Sequence, residues 1–289
     1  MASTITLRRR IRSIKNTRQI TQAQQLVAAS KLRRAQEYAA RSRDYAELAN
    51  ELLTRLSGLN EVAQQPLFEQ RPVKNRLYIL VTSNTGLAGA YNANVIKLLT
   101  HAVAEDRQAG IVSHVIAIGN KGAQFVRRVH GIDLHASYPG FGNEPTANDL
   151  RPVLNTIVEE YRNDEVDEVR VLYTKFVSTV SQRAESLQLL PAQTPDRAEA
   201  PAHAISNFEP DVETVIDQVA TRLIEAQVWQ ALLESIASEH AMRMVAMKNA
   251  TDNAKDLIDD YTLELNTARQ AAITQELAEI TGGAEAMNG

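Results

Sequence analysis

The chain has 289 residues, no cysteine, and 31 Lys and Arg against 35 Asp and Glu, a formal charge of -4. Without thiols it has no disulfides, thiolate metal sites, cysteine nucleophile or thiol switch, which fits a reducing compartment. The near-even charge gives no reason to expect nucleic-acid binding by the chain as a whole. Hydrophobic residues make up 44% of the chain, ample for a packed core, and no apolar run approaches the ~20 residues that span a bilayer.

Charge is unevenly spread. From Met1 to Arg41 the only acid is Glu37, and from Asp256 onward the only base is Arg269. The basic start lacks the apolar segment of a secretory signal, and its unbroken passage into a helical pattern argues against a transit peptide.

Thr4 to Ser57 contains no Pro or Gly and carries apolar or small residues at helical spacing, among them Ile11, Ile14, Thr21, Ala28, Leu32 and Ala35. This predicts a first helix over 1–57 of roughly 80 Å, stopped at Gly58. The middle, 72–191, alternates short apolar runs with helical patterns. Strands are expected at Leu77–Ser83, His114–Gly119, Val169–Val177 and Glu185–Pro191, with helices at Tyr91–Gln108, Gly122–Arg128 and Asn148–Tyr161. Such alternation implies an α/β layer structure with parallel core strands. Residues 192–210, with Pro195, Pro201 and Pro210, read as a linker.

From Asp211, an N-cap residue, the pattern stays helical to Gly282, roughly 105 Å. Helices of this length in a soluble protein form coiled coils, so the expected fold is a long antiparallel coiled coil of the terminal helices, 1–57 and 211–289, with an inserted Rossmann-like α/β domain. With equal rise from Ser57 and Asp211, residue i faces about residue 268 minus i. Arg8 to Arg12 then oppose Asp256, Asp259 and Asp260, and the chain beyond Glu264 projects alone. The small side chains of Arg269–Gly283 suit a shaft in a close-fitting sleeve, which points to a partner rather than a substrate.

Catalytic signals are weak. The stretch TSNTGLAGAYN, Thr82 to Asn92, has strand, glycine loop and helix start, but matches neither G-x-G-x-x-G nor the phosphate loop ending in Lys. Ser83 lacks a nucleophile elbow. The six histidines, His101, His114, His130, His135, His203 and His240, show no metal-ligand spacing; His130 and His135 are the closest pair, and no metal or cofactor is expected. The adjacent carboxylates Glu159–Glu160 and Asp259–Asp260 read as solvated faces. Met242, Met244 and Met247, downstream of Trp229, read as a coiled-coil seam, and KLRRAQ, Lys31 to Gln36, as a solvated face or a surface for an acidic partner.

IRSIKNTRQITQAQQLVAASKLRRAQ (Ile11 to Gln36), TSNTGLAGAYN, ESIASEHAMRMVAMKNATDNA (Glu234 to Ala254) and ARQAAITQELAEITGG together resemble the gamma subunit of F-type ATP synthases, over essentially the whole chain. The resemblance implies a non-catalytic central-stalk rotor. Its C-terminal helix would turn inside a ring of alpha and beta subunits, and its α/β domain would lie against the epsilon subunit and the c-ring. Proton or sodium flow would drive it, and the beta sites would make ATP. It implies a single copy in a hetero-oligomer, peripheral to the cytoplasmic face of a bacterial cell membrane.

By motif match, ring-contacting residues are expected at Gln24, Gln25, Leu26, Lys31, Arg33 and Arg34 on the first helix. Arg243, Arg269, Gln270, Thr274 and Glu276 are expected on the last. Two departures stand out. The family's usual A-M-x-M-V reads Ala23-Gln24-Gln25-Leu26-Val27, and its T-S-D-R-G-L-C-G carries Asn84, Thr85 and Ala88. The alternative class is a small-molecule α/β enzyme whose long helices serve as dimerisation arms, with its ligand at Gly86 to Asn92.

Overall fold

The computed structural model describes residues 4–56, 65–141, 146–192 and 212–288. Gly58, the linker from residue 193 to Pro210, His203 and the proposed cap Asp211 lie outside them. Two helices dominate the chain, α1 (Thr4–Leu56) and α5 (Val212–Asn288). Two compact units divide it: Met1–Val27 with Met244–Gly289, and Ala28–Arg243.

The first unit is a pair of antiparallel helical stretches, with Thr21 Oγ1 2.8 Å from Thr251 Oγ1 and the Arg10 guanidinium 5.8 Å over the Tyr261 ring. Leu7, Ile11, Ile14, Arg18 and Thr21 form the covered stripe of α1, alternating steps of four and three. On α5 the same alternation runs through Met247, Thr251, Ala254, Ile258, Tyr261, Leu265 and Ala268. Those intervals keep one face of each helix turned to its partner, the condition for knobs-into-holes packing.

The register differs from the equal-rise expectation by about one turn, since Thr21 meets Thr251 rather than Met247. The apolar seam decides it. For the same reason the expected charge pairing does not form: among the described residues Arg8, Arg9, Arg10 and Arg12 make no ion pair with Asp256, Asp259 or Asp260. Both sets stand off the seam in solvent, where pairing would contribute ~0.5 kcal/mol and hold little in place. Past Ala268 α1 offers no cover, and Arg269 to Ala284 are all exposed. The helix nevertheless continues through Gly282 and Gly283 to Asn288, because a cost of about 1 kcal/mol per Gly does not by itself end an established helix.

The second unit is built on a five-stranded sheet, β1 (Asn75–Val81), β2 (Val112–Ile118), β3 (Asp133–Tyr138), β4 (Glu168–Phe176) and β5 (Gln182–Leu190), ordered β3-β2-β1-β4-β5. The first four are parallel and β5 is an antiparallel edge. The sequence reading contained every strand but β3, whose residues alternate exposed and half-buried and show no apolar run. A strand at an edge needs no second apolar face.

Layering follows from the alternation of side chains. Leu77, Ile79, Val81, Ile116, Val169 and Val171 face α4 (Ala147–Arg162) and the start of α5, which contributes Ile216, Leu223, Ile224 and Leu232. Tyr78, Leu80, Val115 and Leu172 face the other way, onto Val95, Leu99 and Val103 of α2 (Tyr91–Ala109) and toward α3 (Asn120–Val126). At the strands' N-terminal edge Arg76 is bonded to Glu168 (2.6 Å) and to buried Asp106, which also accepts from Tyr78 (2.7 Å) and Ser113 (2.9 Å). A charge this deep persists because every partner is present.

Gly119, where β2 gives way to α3, has φ +103°, and a Cβ there would stand 2.1 Å from the Thr82 carbonyl oxygen. Gly119→Ala is expected to lower the unfolding free energy by about 2–5 kcal/mol, read by urea denaturation followed through Trp229, the single Trp, which packs on the same core. Gly86→Ala, which meets open space, should change it by less than about 1 kcal/mol.

Candidate functional site

In an open α/β sheet a ligand enters beyond the strands' carboxyl ends, where the chain changes direction across the sheet. Here that point lies between β1 and β4, and the chain's own α5 fills it. Ser235 Oγ is 2.7 Å from the Tyr91 hydroxyl and accepts from the Thr174 N–H at 3.3 Å, while Ser238 donates to the Thr174 carbonyl at 2.9 Å. All three side chains are buried. Two serines, small and hydrogen-bonding, let a helix approach the strand end closely.

The loop between β1 and α2 is satisfied internally. Ser83 N–H donates to Asn92 Oδ1 (3.0 Å), Asn92 donates back to Ser83 Oγ (2.7 Å), and that hydroxyl donates to the Thr85 carbonyl (2.6 Å). Ser83 is 1% exposed, so it is no nucleophile. Asn84 Oδ1 accepts from the Asn120 and Gly140 N–H groups.

Where a phosphate would approach, Arg243 already sits. Its Nη2 is 2.7 Å from Glu239 Oε1 and donates to the Gly86 carbonyl (3.3 Å) and Thr85 Oγ1 (3.4 Å); its Nη1 lies 3.3 Å from His240 Nδ1. With Lys31 and Asn84, the side chains of Arg243, Glu239, His240 and Thr85 line a cavity of about 220 Å³. Burial, then Arg243 and Lys31, push the His240 imidazolium down to about 4, so the ring is neutral and can accept from Arg243. Burial raises the Glu239 carboxyl, with Arg243 and Lys31 opposing. An anion placed here would meet the Glu239 carboxylate and displace a guanidinium, so the loop works as a joint for α5.

The other expected contact residues lie outside this cluster. Leu26, Arg33, Arg34, Arg269, Gln270, Thr274 and Glu276 are exposed, and Gln24 and Gln25 are half-covered. Among the described residues, Arg33 makes an exposed contact to Glu37 at 3.5 Å. Apolar side chains accompany the exposed polar ones: Ile273, Leu277 and Ile280 are 49%, 59% and 67% exposed. Among the described residues no helix is long and apolar enough to cross a membrane.

A family model described as ATP synthase matches residues 3–287. The ATP synthase gamma chain of Acidithiobacillus ferrooxidans is 41% identical over 289 residues, 99% of this chain and 100% of that one. That of Herpetosiphon aurantiacus is 42% identical over 296 residues, covering both chains fully. The chain belongs to the ATP synthase gamma-chain family. As a gamma subunit it is a rotor component of the synthase rather than a catalytic one. In fold it is similar to a chain of the Euglena gracilis mitochondrial ATP synthase in rotational state 3, with TM-score 0.68, 18% identity, and coverage of 98% of this chain and 94% of that chain.

Within this gamma chain, sequence reasoning singled out Arg243 and Lys31 but missed their neighbours Glu239 and His240. Helical spacing was the available signal, since Glu239 and Arg243 are four apart. The reading of Glu159–Glu160 as a solvated pair is corrected: Glu159 is exposed, but Glu160 is buried and lies 2.5 Å from His135 Nε2. Successive helical residues diverge by about 100°, so one reached the core side. Nor do His130 and His135 form the pair; His114 and Asp133 join His135 instead.

Two outcomes are expected. Arg243→Ala, which strips Glu239 and the Gly86 carbonyl of their partner, should cost about 1–3 kcal/mol in urea unfolding. The His240 imidazolium is disfavoured in the folded state, so its contribution is complete above the unfolded value near 6.5 and is lost as pH falls toward about 4. Stability of the wild type relative to His240→Gln should therefore decline between pH 7 and pH 4.5, with denaturation curves at several pH values as the check.

Proposed function

We propose that the exposed end of α5 is the part of this rotor that turns inside the alpha and beta ring, and that the α/β segment 72–191 lies against the epsilon subunit and the c-ring. One observation carries this reading: Arg269 to Ala284 project with every side chain exposed, including Ile273, Leu277 and Ile280. A lone helix of that length is marginal in water, so a surrounding partner is expected.

Physically, rotation couples to chemistry only through contacts that differ among the ring's conformations. The proposed contact set is Gln24, Gln25, Leu26, Lys31, Arg33 and Arg34 with Arg243, Arg269, Gln270, Thr274 and Glu276. Arg269 and Gln270 make no side-chain bond among the described residues, which leaves their donors free for a ring loop at one rotary angle. Thr274 rests on the Gln270 carbonyl at 2.9 Å and retains acceptor capacity. Arg243 enters the set already bonded inside the chain, so its substitution acts on the Thr82–Tyr91 loop first. The exposed side chains of Arg8, Arg9, Arg10 and Arg12 and of Asp256, Asp259 and Asp260 give the shaft a basic and an acidic surface. The complex would sit at the cytoplasmic face of a bacterial membrane, driven by proton or sodium flow.

Purification from source cells through a tag placed between Pro195 and Pro201 should bring down larger subunits with Mg-ATPase activity. Truncation from Leu265 should then cut gradient-driven ATP synthesis in membrane vesicles by about 5- to 150-fold, the span of ordinary coupling energies. Synthesis at the full rate with the truncated chain would overturn the proposal.

A further inference from the structure

His114, Asp133 and His135 offer three ligand atoms that all lie within 4.8 Å of one another. We propose that they bind a divalent first-row transition ion, with zinc as the best match, and that the ion ties the edge strand β3 to β2.

The backbone builds this arrangement. In the parallel ladder His114 is paired with Asp133 and Val115 with Leu134, but the next step pairs Ile116 with Ala136. His135 is the extra residue of that bulge, and bulges re-aim side chains. The His114 and His135 rings stand nearly perpendicular, 84°, with centroids 6.2 Å apart, and His114 Nδ1 lies 2.9 Å from Asp133 Oδ2. Ligand atoms around a tetrahedral zinc at bond lengths of about 2.0–2.1 Å stand about 3.3 Å apart, so small side-chain rotations suffice.

The surroundings supply what a metal-bound imidazole ordinarily has. Buried Glu160 of α4 holds His135 through Nε2 at 2.5 Å. A carboxylate that fixes one ring nitrogen leaves the ring's other nitrogen for an ion and sets its direction. Asp133 and His135 are exposed and His114 half-buried, so an ion can enter without opening the fold. The donor set decides the class of ion. Two imidazoles and one carboxylate suit zinc, copper or nickel, whereas magnesium and calcium call for oxygen ligands. Water would complete the coordination.

The test uses the untagged full-length chain with zinc chloride alone. Calorimetry is expected to show one site of micromolar or tighter affinity. A long-range proton–nitrogen spectrum should show the rings of His114 and His135 shifting while those of His101 and His130 stay in place. His114→Gln and His135→Gln should each remove the site. Glu160→Gln should weaken it by about 10- to 100-fold, the usual effect of losing an orienting partner. His130→Gln should leave it intact. Failure to bind zinc, or binding that shifts other histidines, overturns the proposal. The spectrum is read on the wild-type chain, so its outcome does not depend on how well any variant folds.

Discussion

The end of β4 and the middle of α5 meet through one backbone residue. Thr174 gives its N–H to Ser235 and takes the hydroxyl proton of Ser238, and Tyr91 closes the same cluster from the first turn of α2. Unpaired, these buried groups would cost more than their bonds contribute, so α5 cannot slide or turn on the sheet without losing several at once. The apolar row from Ile216 to Leu232 gives area, but area alone fixes no axial position. The serines do.

With α5 fixed there, the crevice where α/β proteins usually hold a nucleotide is closed by the chain itself. The glycine loop carries Leu87 and Gly89 at φ 64° and 57°, yet its Gly86 carbonyl and Thr85 hydroxyl are engaged by Arg243 and its Ser83 hydroxyl by Asn92 and the Thr85 carbonyl. The same architecture that elsewhere holds a mobile ligand here holds a permanent one, its own helix. A joint of this kind resists sliding because several directional bonds must break together.

The helical pair Met1–Val27 with Met244–Gly289 works by a different rule. Its covered stripe is narrow and mixed, with Thr21, Thr251 and Arg18 among the apolar positions, so it holds two helices together with little bulk. Apart from Arg18, the charges of these two helical stretches stay off the seam, on the surface. Beyond Ala268 one helix continues uncovered, a length of chain whose own packing cannot account for its apolar side chains.

The sequence by itself determined the long terminal helices and the parallel sense of the core strands, because each is written in local propensity or in apolar spacing; the point at which α5 loses its partner, expected beyond Glu264, fell a turn later at Ala268 with the register. Family membership was equally legible, in IRSIKNTRQITQAQQ and ARQAAITQELAEITGG. Tertiary structure decided the rest. The helix register moved by a turn because seam packing outweighs exposed charges. Strand β3 is only half-legible in sequence: Asp133–Tyr138 alternates polar and apolar residues but has no apolar run, and pairing with β2 supplies its hydrogen bonds. Glu160 turned inward, and His114 came beside His135 across 21 positions of sequence, because a parallel ladder with a bulge sets such neighbours by register. Register is a relation between strands, and a single strand's sequence does not contain it.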